Sequence, residues 1–449
     1  MIFLHIMVDI EWIRQQNLKP RDLLPSIFPW IKERECILVV GSRQSGKTSL
    51  LYLVIQHLFQ HKKLFDENLA FLDLEDPADL ELAQLSPDDL LTALKLKGKR
   101  WSQARPLYLV FDEIHLLENP ARLIKLLVDH HPRVSLLATG SSSTGIRQKF
   151  SDALPGRKQE FFLHTLGFGE YLDFVGKNEL KRCLFSADDL YDESTDLPSP
   201  QVTKILLRDI ERHNRDYMVF GGYPAVALTP HQMMKQRRLG AIFNDYVRKD
   251  LGTLFSVEHL SEFTRLVKLL AARTGGLLTY AHLASALSLN QRTVSRYLDI
   301  LEATFILTRV TPYRTNIGKR LVKAPKIYFY DNGLRNTALG DFSGFENRSD
   351  QGALVENTIF RHLVSRLELT ETEEISFWRT PAGAEVDFMW RDILIEVKSG
   401  PFTGPPPRGL MSCMAHCGIK KALIFNRNRM ERLKIDDREI MFFPYSLLR

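Results

Sequence analysis

Cysteine is nearly absent. Four residues among 449 are too few for the disulfide framework that staples small secreted domains. Cys413 and Cys417 stand close together with His416 between them, but no second ligand pair follows at zinc-site spacing. Reduced thiols and a cytoplasmic location are the expectation. Long hydrophobic runs are missing too, and no stretch approaches the ~18 apolar residues that a membrane-crossing helix requires. The apolar opening Met1 to Ile10 has no basic leader and is short for a signal peptide. A soluble chain with no membrane partner is expected.

Neither sign of charge dominates, since 60 Lys and Arg face 54 Asp and Glu for a net of +6. That surplus permits an acidic partner such as nucleic acid without requiring one, so the placement of the positive charge matters more than its sum. A hydrophobic content of 44% beside 25% charged residues is that of a globular protein. At ~150 residues per domain, the length suggests about three domains.

What is present is sharper. Gly41-Ser42-Arg43-Gln44-Ser45-Gly46-Lys47-Thr48 fits the phosphate-gripping loop G-x-x-x-x-G-K-[ST]. It follows the β-branched run Cys36 to Val40. It precedes Ser49 to Phe59, where Leu50, Leu51, Val54, Ile55 and Leu58 recur at helical spacing. The glycines let backbone N–H groups turn inward toward phosphate oxygens, and the following helix adds its positive dipole end. Lys47 neutralises the β- and γ-phosphates and Thr48 offers its hydroxyl to Mg²⁺. Residues 41–49 are therefore the expected ATP-binding set, with Mg²⁺ as the accompanying ion.

Three further short apolar strands, Leu69 to Leu74, Leu107 to Phe111 and Val134 to Ala138, alternate with helical segments. Such alternation implies a parallel sheet covered on both faces, with ligands at the carboxyl ends of its strands. The third strand delivers Asp112 and Glu113 to that edge, one suited to Mg²⁺ and the other to the attacking water. Thr139-Gly140-Ser141 ends the fourth. It reads either as a sensor of the γ-phosphate or holder of the water, or as an ordinary turn. Arg147 and Arg157 follow, the latter in Leu154-Pro155-Gly156-Arg157. Each is a candidate arginine finger for its own or a neighbouring subunit, or a plain surface arginine.

The acidic stretch Ser186 to Pro200 reads as an insertion or linker, and Gly221-Gly222-Tyr223-Pro224 as a tight turn. Met233 to Leu254 is amphipathic, with Lys235, Arg237, Arg238, Arg248 and Lys249 expected on a solvated face. Ser261 to Val310 has the pattern of a winged helix-turn-helix. In its third helix, capped by Asn290, Val294, Tyr297, Leu298 and Leu301 share one face. Gln291, Arg292, Ser295 and Arg296 share the other. Those four residue types suit a DNA major groove. The hairpin-like Phe305 to Tyr330 carries Arg309, Arg314, Lys319, Arg320, Lys323 and Lys326, expected as a basic wing on the phosphate backbone. Such modules also serve as protein-packing or lid domains.

Near the carboxyl end, Glu385-Val386-Asp387-Phe388 precedes the strand Ile393 to Lys398. Period-two alternation places Leu394, Glu396 and Lys398 together on one face. Asp387 and Glu396 are candidate ligands for a divalent cation, with Lys398 as the partner of an attacking water, as in a PD-(D/E)XK nuclease core. A surface ion pair is the alternative. Glu356, in the amphipathic helix that Gly352 opens and Leu367 closes, is placed to complete the metal set.

The succession GSRQSGKT, FDEIH, TGSSS, LPGR, GGYP, a winged helix, KIYFYDNGL, GALVEN and EVDF with IEVKSG resembles bacterial and archaeal ATPases whose AAA-type core precedes a DUF4143 region. The resemblance covers about Trp30 to Gly400. It implies an α/β fold: a phosphate-loop parallel sheet of the additional-strand class with helices on both faces, then a winged helix-turn-helix, then a restriction-endonuclease-like α/β domain. The expected division is 1–33, 34–175 for the ATPase core, 176–258 for a helical lid or linker, 259–330 for the winged helix and 331–449 for the nuclease-like domain. Lys47, Thr48, Asp112 and Glu113 would serve nucleotide, and Glu356, Asp387, Glu396 and Lys398 the nuclease-like site. His115 stands where many relatives have glutamine. The functional expectation is ATP hydrolysis coupled to nucleic acid, DNA favoured, with oligomers possible. The rival is an ATP-dependent switch or scaffold for protein partners with a silent nuclease-like fold.

Overall fold

The computed structural model describes residues 10–141, 154–186, 188–190, 198–247, 257–313, 324–365 and 375–449. Arg147, Arg248, Lys249, Arg314, Lys319, Arg320, Lys323, Leu367 and most of the acidic stretch after Ser186 lie outside them. The chain divides into two compact units, Met1–His164 and Thr165–Arg449. Among the described residues no helix is long and apolar enough to cross a membrane.

The first unit is built on β1 (Cys36–Gly41), β2 (Leu69–Asp73), β3 (Leu107–Asp112), β4 (Val134–Ser141) and β5 (Lys158–Phe162), all parallel in the order β2-β3-β4-β1-β5. A parallel sheet buried on both faces needs strands that are apolar throughout, and β1 and β3 are buried at every position. Ile37 and Val39 of β1 pack with Leu50, Leu51, Val54, Ile55 and Leu58 of helix Lys47–Gln60. Leu38 and Val40 meet Leu90, Leu94, Ile124 and Leu127 from helices Pro87–Leu96 and Pro120–His130 on the other face. Each such buried aliphatic contributes about 2 kcal/mol, so tertiary packing rather than propensity holds these helices.

β4 is inserted between the phosphate-loop strand β1 and the acid-bearing strand β3. In register, Val39 lies beside Thr139 and Phe111 beside Ala138. That insertion brings the carboxyl ends of all three strands to one edge. The backbone there is crowded: a Cβ on Gly41 would lie 2.3 Å from the Leu163 carbonyl oxygen and 3.2 Å from Ser45 Oγ.

The second unit has an eight-stranded mixed sheet. Its strands are β6 (Leu307–Pro312), β7 (Lys326–Phe329), β8 (Ser376–Arg379), β9 (Glu385–Trp390), β10 (Ile393–Val397), β11 (Lys421–Asn426), β12 (Glu431–Ile435) and β13 (Arg438–Pro444). Their order is β12-β13-β11-β10-β9-β8-β6-β7. β8, β9 and β10 form an antiparallel meander. β10, β11 and β13 run parallel, with helix Arg408–Cys417 as the crossover between the first two. Ile393 and Ile395 face a core shared with Leu354, Val355, Ile359 and Phe360 of helix Gln351–Val364. Leu394 faces the opposite core with Leu410 and Cys413. The alternation anticipated along this strand is what the two cores require.

Helices Val257–Ala272, Tyr280–Leu287 and Gln291–Ala303 precede the antiparallel hairpin β6–β7. The hairpin does not stand free as a wing. β6 pairs in parallel with β8 through Thr311 and Ser376 and through Pro312 and Phe377, so the hairpin is the edge of the large sheet. The five-part division anticipated from the sequence is correspondingly coarser in space. One hydrophobic core runs through Phe168, Met218, Phe220, Leu298, Tyr328, Phe360, Ile395 and Phe443, because each segment alone leaves an apolar face to bury.

The GGYP and YDNG motifs meet in that core. Asp331 accepts N–H groups from Gly222 at 2.8 Å and Leu334 at 3.1 Å, and a Cβ on Gly222 would lie 2.2 Å from the Leu166 carbonyl oxygen. Asn336 donates to the carbonyls of Val219 at 2.8 Å and Met218 at 3.3 Å. These motifs are a structural joint. Lys235 departs from the expected solvated face: it is buried and paired with Asp216 at 2.5 Å, an acid that also accepts the Tyr171 hydroxyl at 2.8 Å.

Gly41→Ala should lower the unfolding midpoint in a thermal melt, with a cost of about 1 to 3 kcal/mol from overpacking against a backbone carbonyl. Gly240→Ala, with nothing within 4 Å of the added carbon, should hold or raise the midpoint. Equal midpoints for both variants would refute the close approach at Gly41.

Candidate functional site

The carboxyl edge of the first sheet gathers the phosphate loop and the two acids of β3. Gly46 takes φ 97° and Gln44 φ 59°, both left-handed, so the loop doubles back into helix Lys47–Gln60. Lys47 is buried. Its ammonium reaches the carbonyls of Ser42 at 3.3 Å and Gly41 at 3.5 Å, and lies 3.7 Å from Glu113 Oε1. The Thr48 hydroxyl donates to Asp112 Oδ2 at 2.6 Å. Ser45 Oγ is buried without a hydrogen-bond partner.

Thr139 does more than end a strand. Fully buried, its hydroxyl donates to Asp112 Oδ1 and accepts the backbone N–H of Glu113 at 3.0 Å. One oxygen therefore clamps the two residues together while Glu113 sits in the left-handed region at φ 55°, a conformation that needs support. Burial raises the Asp112 carboxyl above its ordinary pKa and Glu113's charge adds to this. The hydrogen bonds from Thr139 and Thr48 and the charge of Lys47 pull it back. His115 Nδ1 lies 3.1 Å from Glu113 Oε2, so the histidine noted after the acid pair rests on the second of them.

Arg21 was not among the residues that sequence reasoning singled out. Buried, it donates to the carbonyl of Ser45 at 2.9 Å and of His164 at 2.8 Å, bracing the loop from beneath. Nothing in its local sequence marks it, because its partners are backbone atoms remote in the chain.

Arg157 is corrected as a finger for its own loop. Its carbonyl accepts the N–H of Cys36, the first residue of β1, and its guanidinium pairs with Asp129 at 2.8 Å. The residue thus stands at the amino end of the sheet, with the length of β1 between it and the phosphate loop.

In the second unit, Asn290 caps helix Gln291–Ala303 through a 2.8 Å hydrogen bond from the Thr293 N–H. Val294, Tyr297, Leu298 and Leu301 are buried, while Gln291, Arg292 and Arg296 are exposed and Ser295 is half-buried. The basic wing is corrected at both described cations. Arg309 pairs with Glu302 and with Asp299 at 2.7 Å and donates to the Tyr280 hydroxyl at 3.0 Å. Lys326 is buried among acids, its ammonium 2.6 Å from Glu385, 3.3 Å from Glu356 and 3.7 Å from Asp387.

The acids expected to gather do so. Glu356, Asp387 and Glu396 come from helix Gln351–Val364, β9 and β10, and Lys398 contacts Glu396 Oε1 at 2.6 Å. Among the described residues no three His, Cys, Asp or Glu side chains are arranged to hold a metal ion, the expected set of Glu356, Asp387 and Glu396 included. Several of their oxygens have other partners. Glu356 Oε1 takes both Lys326 and the Tyr328 hydroxyl, and Asp387 Oδ2 takes the Val397 N–H at 2.8 Å. Burial lifts the pKa of Glu356, Asp387 and Glu396 above ordinary values, against the pull of the two ammonium groups. Lys326 and Tyr328 share one face of β7 by the same period-two rule that paired Glu396 with Lys398, so the pattern was available in the sequence.

Residues 33–172 match the family described as an AAA domain, 211–344 a domain of unknown function, DUF8612, and 351–448 a domain of unknown function, DUF4143. An uncharacterized protein of Haemophilus influenzae is 26% identical over 347 residues, covering 75% of this chain and 76% of its own length. Another, from Methanocaldococcus jannaschii, is 22% identical over 390 residues, covering 86% of this chain and 77% of its own. Among solved structures, that of C. elegans PCH-2 is 13% identical with a TM-score of 0.32. The match covers 51% of this chain and 65% of that one.

Thr139→Val, which removes only the clamping hydroxyl, should lower the steady-state rate of ATP hydrolysis about tenfold or more while KM shifts little. A rate equal to that of the wild type would remove Thr139 from the site.

Proposed function

Because this chain is an AAA-type phosphate-loop ATPase with a DUF4143 region at its carboxyl end, we propose that it binds ATP in the loop Gly41–Ser49, hydrolyses it, and works on nucleic acid. The observation that carries the first part is the convergence of Lys47, Thr48, Asp112, Glu113 and Thr139 on one sheet edge.

The donor set fits a magnesium-bound triphosphate. The loop N–H groups, the unpartnered Ser45 hydroxyl and the Lys47 ammonium, which reaches its own loop's carbonyls and Glu113, are groups that phosphate oxygens satisfy. Thr48 and Asp112 supply the hard oxygens that would hold Mg²⁺, which when bound neutralises charge developing on the phosphates. Arg43, Gln44 and Ser49 flank this set within the loop. Glu113 takes the proton of the attacking water. Thr139 aims that carboxylate through the backbone N–H it accepts, and His115 holds the second oxygen.

Nucleic-acid binding is assigned to the exposed face of helix Gln291–Ala303, read as the recognition helix of a winged helix-turn-helix. Gln291, Arg292 and Arg296 are exposed on it, and Ser295 stands among them. Phosphate contacts would supply affinity and the glutamine and arginines base-edge contacts. Arg309 and Lys326 take no part, since both are spent on internal acids. The second unit's acid-bearing sheet is read as restriction-endonuclease-like in fold. A second function, as an ATP-driven switch for protein partners, draws its support from the fusion of hairpin and sheet into one core, which suits a rigid binding module.

Lys47→Ala should abolish ATP turnover in a coupled phosphate-release assay, and unchanged turnover would overturn the site. Arg292→Ala combined with Arg296→Ala should weaken duplex DNA retention and flatten its salt dependence by about two units of slope. Identical salt curves for the two proteins would favour the switch reading instead.

A further inference from the structure

Four carboxylates meet in the second unit: Glu356 from helix Gln351–Val364, Glu385 and Asp387 from β9, and Glu396 from β10. A nuclease fold would use such a cluster to bind a divalent cation. Here β7 sends Lys326 into its middle, with a side chain only 3% exposed and an ammonium 2.6 Å from Glu385 Oε1, 3.3 Å from Glu356 Oε1 and 3.7 Å from Asp387 Oδ1. An ammonium has three donors, and three carboxylates surround this one.

The remaining acceptors are largely taken. Tyr328 donates to Glu356 Oε1 at 2.5 Å, the Val397 N–H to Asp387 Oδ2 at 2.8 Å and Lys398 to Glu396 Oε1 at 2.6 Å, while Arg379 lies 3.3 Å from Glu385 Oε2. Three cationic side chains therefore face four acids. Glu396 Oε2 is buried without a hydrogen-bond partner and the described contacts of Glu356 all fall on Oε1, but two oxygens do not make a coordination shell for a hard dication, which takes about six oxygens.

We propose that Lys326 is the resident cation of this cluster, an ammonium lock that ties the hairpin strand β7 to helix Gln351–Val364 and β9, so that this region holds no divalent metal and cleaves no nucleic acid by a metal-dependent route. The lock is internal to the second unit and independent of ATP turnover. Its physical logic is mutual: a buried ammonium without acids is badly desolvated, and buried acids without the ammonium repel one another.

The test uses the full chain in nucleotide-free buffer, titrated with Mn²⁺ and followed by electron paramagnetic resonance of the free ion and by thermal unfolding. Wild type and Asp387→Asn should bind equal amounts of Mn²⁺. Lys326→Ala should lose on the order of 5 °C or more in metal-free buffer and gain a Mn²⁺ equivalent that a second substitution, Asp387→Asn, removes. Should Lys326→Ala fail to fold, adding Glu385→Gln, which restores the charge balance, should recover the folded protein. The proposal is overturned by a Mn²⁺ ion bound to the wild type and lost in Asp387→Asn, by a Lys326→Ala protein as stable as wild type, or by no recovery in the paired variant. ATP turnover of Lys47→Ala is measured separately, so failure of the lock and failure of the ATPase assignment remain distinguishable.

Discussion

A single buried hydroxyl holds the first unit's chemistry in place. Thr139 reaches Asp112 with its proton and the Glu113 backbone with its lone pair, so the two adjacent acids are fixed relative to each other by one oxygen. That arrangement exists only because β4 is inserted between β1 and β3. Without the insertion the loop strand and the acid strand would be neighbours, and neither would have a polar tip between them. Preorganisation of this kind is what an active site asks of its scaffold, since donors already aimed need no reorganisation during the reaction.

The second unit depends on a different economy of charge. Some of its basic residues, which raise the sequence's net charge, are spent on internal acids. Arg309 is bound by Glu302 and Asp299, Lys235 by Asp216, and Lys326 by three carboxylates. Each pairing satisfies a charge that burial would otherwise make costly. On helix Gln291–Ala303 the exposed cations are Arg292 and Arg296, at the amino end of the helix.

Much of the first unit was legible. The phosphate loop, the alternating strands and the acid pair after Phe111 are local patterns, set by spacing within a few residues, and the fold places them as their spacing implied. Arg157 was not legible, because whether a loop arginine lies at the carboxyl or amino end of a parallel strand depends on which side of β5 it falls. Arg21 was invisible for a related reason, its partners being backbone carbonyls 24 and 143 residues away. In the second unit the acids of β9 and β10 were found, but their resident partner was assigned to a wing. Lys326 looks like any strand lysine until the hairpin is seen to close the sheet edge.

Local order along the chain was enough to determine the phosphate loop, the helix it opens, the apolar strands and the faces of helix Gln291–Ala303, because hydrogen bonding and side-chain periodicity act over a few residues. Which charges ended inside, and against what, was decided by tertiary structure alone. Ion pairs such as those of Lys326 join residues 30 to 61 positions apart, and only the closing of β7 onto the sheet edge made burial and neutralisation happen at the same place.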